Sequence, residues 1–283
     1  MIVRIAYQSQ YSYSEPVSFS SHLYRLFPKA DRYVTARSLA FQTNLGAAIS
    51  YRRDLFDNEI ASCFYPGKSA LLSASLQIEL KLQKRNAFDF LLAPHAENLP
   101  FAYSAKEAQV LAPYLSPGAD RVSVPFWKPP ATPQPTVSTL TDLNESLHDH
   151  LAYERREEGA AYSPEETLRL SRGSCRDFAV LLAAIARDLG IAARLASGYL
   201  CEFGDEEKKA EGALHAWTEL YLPGAGWVGF DPTNGYLCNH HHITAAVGLT
   251  PEDVSPILGN YYHPTTVHSQ MTASLQIMPH EYP

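Results

Sequence analysis

The chain has 283 residues, 46% of them hydrophobic and 11% aromatic, which is enough apolar material for a buried core and too much for a disordered chain. Its 30 acidic residues outnumber its 23 basic ones, giving a net charge of −7. Its lysine pair Lys208-Lys209 stands among Glu206, Glu207 and Glu211, so nucleic acid is not expected as a partner.

The N-terminal third reads as β-structure. Val3, Ile5, Tyr7, Tyr11 and Tyr13 alternate as a half-buried strand requires, and Val17, Phe19, Leu23 and Phe27 continue at odd positions. Ala74, Leu76, Ile78, Leu80 and Leu82 alternate with Ser75, Gln77, Glu79 and Lys81, the clearest strand in the chain. Asp57-Asn58 suits a hairpin turn between two further strands. Together these predict an antiparallel β-rich domain over residues 1–115, with some helix in 88–114. Pro117, Pro125, Pro129, Pro130, Pro133 and Pro135 exclude a helix interior or central strand, so 116–136 reads as a semi-rigid linker and 137–283 as a second domain.

The apolar period then changes. Val137, Leu140, Leu143, Leu147 and Leu151 recur every three or four residues, as in an amphipathic helix. A second helix is expected over about 174–189, stopped by Gly190, and its continuous apolar run 178–186 predicts burial. Strands follow at 193–201, 215–222 and 226–230, the last two joined by Pro223-Gly224-Ala225-Gly226. The acidic tract 202–211 reads as a solvated loop that could border a cleft. Residues 1–8 lack a basic-then-apolar leader and the longest apolar run is too short to cross a bilayer, so a cytoplasmic protein without membrane contact is expected.

Cys63, Cys175, Cys201 and Cys238 contain no Cys-x-x-Cys pair, so neither a zinc framework nor a disulfide scaffold is indicated. Cys175 differs from the other three in position. In Gly173-Ser174-Cys175-Arg176-Asp177-Phe178 it occupies the first turn of the buried helix, where unpaired backbone N–H groups and the helix dipole favour a thiolate and an adjacent oxyanion. His215 and Asp231 lie toward the same end of the 215–230 hairpin, as a base and its orienting carboxylate should. Cys201 and Cys238 read as buried bystanders and Arg176 as an ion-pair former. His240-His241-His242 is not expected to bind metal, because consecutive side chains point apart. No cofactor is required.

Four blocks in order closely resemble the transglutaminase-like superfamily: 173–179, then 194–200 (Arg-Leu-Ala-Ser-Gly-Tyr-Leu), then His215-Ala216-Trp217, then 226–234 (Gly-Trp-Val-Gly-Phe-Asp-Pro-Thr-Asn). Tyr11-Ser12-Tyr13, Pro16-Val17 and Arg25-Leu26-Phe27-Pro28 are similar to the bacterial transglutaminase-like N-terminal region. Leu214 before the histidine, and the residues after His242-Ile243, depart from the family pattern. The resemblance implies an α+β protein whose β-rich antiparallel N-terminal domain precedes a papain-like core, with the nucleophile helix packed on an antiparallel sheet. It maps Cys175, His215 and Asp231 onto a catalytic triad. The reaction implied is acyl transfer on a peptide, protein or small amide through a thioester: hydrolysis first, with an amine acceptor, a thioester donor and a noncatalytic binding module as rivals. Asp177 is a candidate supporting carboxylate or helix-end charge, Tyr153 a side-chain oxyanion donor, and Trp217 and Trp227 either line a substrate groove or fill the core.

Overall fold

The computed structural model describes residues 1–116, 118, 121–156, 159–201 and 212–280. The acidic tract 202–211 therefore lies outside the described residues, as does Pro117.

The N-terminal region folds into strands β1 (Ile2–Phe19), β2 (His22–Tyr24), β3 (Val34–Thr43), β4 (Ala48–Arg53), β5 (Glu59–Phe64) and β6 (Lys68–Leu82). The alternation read in the sequence is the burial pattern observed: Val3, Ile5 and Tyr7 of β1 and Leu76, Ile78 and Leu80 of β6 are buried, while their neighbours face out. Strands β1, β6 and β3 form one antiparallel sheet, and β2, β5 and β4 another. Tyr24, Leu26, Phe27, Ala61 and Cys63 pack with Val3, Ile5 and Leu76 between them.

Between residue 83 and the second core the chain forms a 3-10 turn (Pro94–Ala96), the short antiparallel strands β7 (Asn98–Leu99) and β8 (Gln134–Pro135), and helix α1 (Ala105–Leu115). Ser104 and Glu107 close a reciprocal capping box that starts α1. The proline-rich stretch predicted as a linker is packed along the second core. Val124 is buried in that core, the Val122 N–H donates to Asp188 Oδ2 at 2.7 Å, and Phe126 stacks on His150 at 4.4 Å.

The second core contains α2 (Thr136–His150), β9 (Ala152–Tyr153), α3 (Pro164–Leu170), β10 (Arg172–Gly173) and α4 (Cys175–Asp188). They are followed by β11 (Ala193–Cys201), β12 (Gly212–Leu222), β13 (Gly226–Asp231), β14 (Tyr236–Leu237) and β15 (His242–Gly248). The last five form an antiparallel sheet in the order β14-β13-β12-β11-β15. Helix α4 buries Phe178, Leu181, Leu182 and Ile185 with Leu195, Leu220 and Phe230 of the sheet and Leu140 and Leu143 of α2. Each such side chain stabilises the fold by roughly 1.5–3 kcal/mol. Thr218 Oγ1 donates to the Ala179 carbonyl at 2.8 Å and pins α4 to β12.

The chain does not stay in this core to its end. Strands β16 (Ile257–Leu258), β17 (Tyr261–Tyr262) and β18 (Ser269–His280) return to the N-terminal sheets, β16 pairing with β2 and the other two with β1. The reading of 137–283 as one catalytic unit is corrected to this extent. The hydrophobic alternation of β18 matches the face of β1, not the α4 core, and Ile277 is buried opposite Ile5. Strand exceeds helix, 44% against 19%, so the α+β class is the one observed.

Candidate active site

Ser174 caps α4, and Cys175 is its first residue. Asp177 at the third helical position accepts from the Ser174 N–H at 2.7 Å and from its hydroxyl at 2.8 Å. The same carboxylate accepts from the Tyr162 N–H at 2.7 Å and from Arg156 Nη2 at 2.6 Å. Asp177 is wholly buried, a cost offset by these donors, and together they hold its carboxyl below the usual range. Gly173 must be small, because a Cβ there would stand 2.8 Å from the Asp177 Cβ. Asp177 thus fixes the start of α4, and its hydrogen-bond partners do not include His215 or Asp231. Arg176 donates to the Gly159 and Arg156 carbonyls at 3.1 and 2.9 Å, and among the described residues the ion pair to Asp177 is made by Arg156.

Strand register explains how His215 and Asp231 meet. Thr218 pairs with Phe230, which sets Asp231 at the level of Trp217, on the face that also carries His215 two residues earlier. Strand β13 ends at Asp231, so His215 lies in a stretch of β12 that β13 does not cover. His215 Nε2–H donates to Asp231 Oδ2 at 2.8 Å. The other ring nitrogen is left for Cys175, whose sulfur lies close enough to favour charge on the imidazole. Burial opposes charge on His215, but Asp231 and Cys175 outweigh it, and the pKa is raised to about 10. Asp231 is 0% exposed yet pushed far down the scale, because its two imidazole neighbours favour the carboxylate more than burial disfavours it.

The second imidazole is His242, which the sequence reading did not place here. Its Nε2–H donates to the same Asp231 oxygen at 3.0 Å. Asn234 Nδ2 adds a third donor to Oδ2 at 2.8 Å, and the Thr233 and Asn234 N–H groups donate to Oδ1 at 3.0 and 3.3 Å. The three consecutive histidines do not all point apart as expected: His242 turns to Asp231, whereas the rings of His240 and His241 lie together with centroids 4.2 Å apart, His241 Nδ1 meeting the Cys201 carbonyl and His240 Nδ1 the Arg85 carbonyl. One ligand-type atom each from His215, Asp231 and His242 lies within 4.8 Å of the others. The nitrogen–oxygen separations of 2.8 and 3.0 Å are those of N–H···O hydrogen bonds.

Tyr153 ends β9, which pairs with β10 so that Tyr153 stands opposite Gly173, two residues before Cys175. Burial, then the nearby Cys175 sulfur, raises its hydroxyl pKa, and the side chain is 56% exposed, open to an incoming ligand. Trp217 does not line a groove: it is 1% exposed, stacked on His215 and edge-on to His242. Trp227 pairs with Tyr221 at the far end of the hairpin, under the Arg194 guanidinium and against Tyr114, and belongs to no site with Cys175. Among the other cysteines, burial pushes Cys63 up to about 11, Cys201 up to about 12 and Cys238 well above the usual thiol range.

Residues 129–232 match the transglutaminase-like superfamily, and residues 3–81 the bacterial transglutaminase-like N-terminal region. The chain carries a transglutaminase-like core and a bacterial transglutaminase-like N-terminal region. The transglutaminase-like core spans every element from α2 to Asp231, and thus Cys175 and His215 as well. An uncharacterised protein of Mycobacterium tuberculosis (strain H37Rv) is 30% identical over 155 residues, which are 52% of this chain and 49% of that protein. An uncharacterised protein of Mycobacterium leprae is 37% identical over 105 residues, 36% of this chain and 37% of the relative. The chain thus spans about half, or less, of these curated relatives. A crystal structure from Cytophaga hutchinsonii, of a protein proposed to be a cysteine protease, superposes with a TM-score of 0.67 at 17% identity. That superposition covers 100% of this chain and 92% of the other, so the two share a fold across both regions. Family and fold together support cysteine-based catalysis in general.

Proposed function

We propose that this transglutaminase-like protein transfers acyl groups from amides through a thioester on Cys175, with water as the usual acceptor. The reading is supported by one observation: a half-buried thiol at a helix start lies close enough to favour charge on an imidazole that is itself held by a buried carboxylate.

In this mechanism the Cys175 thiolate attacks the amide carbonyl carbon, and the carbonyl oxygen becomes an oxyanion. The Cys175 N–H at the helix start, joined by the exposed Tyr153 hydroxyl, donates to it. As the tetrahedral species collapses, the carbon–nitrogen bond breaks and His215 gives its proton to the departing amine. Water then attacks the thioester, His215 takes its proton, and the carbon–sulfur bond breaks to release the acid and restore the thiolate. Asp231 keeps the imidazole oriented and favours its cationic form throughout. An amine in place of the water gives transamidation with the same residues. Water is preferred because it needs no second binding site.

The test is incubation with a defined peptide mixture, followed by mass spectrometry for new termini, with a primary amine added in parallel. Hydrolysed products from the wild type, absent with Cys175→Ala, are the expected result. Amine-bearing products would replace hydrolysis by transamidation. Equal product from Cys175→Ala would contradict the reading outright.

A further inference from the structure

We propose that His242 is a positioning residue, a permanently neutral imidazole that limits how firmly Asp231 holds the proton of His215. This inference rests on the triad reading above. His242 lies in the first position of β15, with a side chain only 1% exposed. Its place depends on a bulge: the register between β11 and β15 shifts between Ser197 and Gly198. The bulge puts both His242 and Val247 on the face of His215 and Trp217, whereas unbroken alternation would send one of them to the opposite face. Gly198 permits the approach of β15 there, since a Cβ would stand 1.9 Å from the Ile243 carbonyl oxygen.

Hydrogen bonding fixes the tautomer. The Asn239 N–H donates to His242 Nδ1 at 3.4 Å, so that nitrogen carries a lone pair. The proton must then sit on Nε2, where it is given to Asp231. Burial also disfavours charge on this ring. The titratable groups facing it are Asp231 on β13, His215 on β12, the adjacent His241, and Tyr236 on β14, whose ring lies 5.8 Å away. Asp231 Oδ2 therefore shares its charge among His215, His242 and Asn234. An oxygen with a further donor is less basic toward each of the others. His215 must both give and take a proton in the proposed cycle, and a less tightly held proton suits that work.

The experiment is a pH titration from 5 to 11 of protein labelled with 15N-histidine, read by two-bond proton–nitrogen spectra, on the wild type, H242L, H242N and H242Q. In the wild type, His242 should show the Nε2–H neutral tautomer throughout. In H242L and H242N the His215 pKa should rise by roughly half to one unit, and in H242Q, whose amide can reach Oδ2, it should return to the wild-type value. A charged or Nδ1–H form of His242 in the wild type overturns the proposal even if no variant folds. So does an unchanged His215 pKa in H242L or H242N, or an H242Q that behaves like H242L. Iodoacetamide labelling of Cys175 in the wild type separates the two ideas. Slow labelling would sink the triad reading, whereas fast labelling with an unmoved His215 would sink only the role of His242.

Discussion

Asp231 is the residue on which the site converges, with five donors on one buried carboxylate. Removing it leaves His215, His242 and Asn234 with unmatched buried donors. We therefore expect Asp231→Ala to cost about 3–5 kcal/mol, read as a lower urea midpoint, besides abolishing activity. The pH dependence has a definite sign. His215 is raised from 6.5 to about 10, so its stabilisation is complete below 6.5 and is lost as pH rises through 10. Asp231 is depressed, so its contribution is present above about 4 and fades as pH falls toward its folded value. These are two views of one interaction, and the site should stabilise the fold most between about pH 4 and 6.5. Urea midpoints measured from pH 3 to 11 check this, with Asp231→Asn as the control that flattens both limbs. At this scale the pairing of His215 with Asp231 was legible, because both lie toward one end of the same hairpin. His242 was not, since a run of three histidines carries no mark of which one turns inward; the bulge at Ser197 and Gly198 decides that.

At the scale of elements, α4 began within a residue of its expected start, because Ser174 and Asp177 make a capping box that can be read from the sequence. That box could not reveal Arg156 and the Tyr162 N–H, which reach Asp177 across a loop. Asp177→Ala should therefore cost more than a helix cap alone, about 3 kcal/mol, by stranding the partly buried Arg156 guanidinium. It should also slow Cys175 alkylation, whereas Ser163→Ala at the start of α3, an ordinary exposed cap, should cost about 1 kcal/mol and leave alkylation unchanged. Thermal melts and labelling rates on the same samples compare the two. The short α3 went unread because a seven-residue helix offers too few turns for a period to emerge.

Across the whole molecule, the N-terminal region is bolted to the core. Asn58, at the turn between β4 and β5, bonds both backbone groups of Val247 on β15, at 2.7 and 2.9 Å, and the Tyr199 hydroxyl donates to the Leu26 carbonyl at 2.7 Å. Asn58 was legible as a turn residue and not as a clamp, since its partner lies 189 residues away. Asn58→Ala leaves the Val247 groups buried without partners, and a loss of roughly 1–3 kcal/mol is expected in chemical unfolding. Strand β18 went unread, and its return to β1 was hidden for a related reason: alternation alone does not show which edge a strand joins. No helix among the described residues is long and apolar enough to cross a membrane. The central claim, an activated thiol at Cys175, is tested most directly by iodoacetamide labelling of all four cysteines from about pH 4 to 9, resolved by peptide mass spectrometry. Fast labelling of Cys175 alone at pH 5–6, lost in His215→Ala, is the predicted result. Labelling of Cys175 no faster than that of Cys63, Cys201 or Cys238 would contradict the account and favour a noncatalytic binding module.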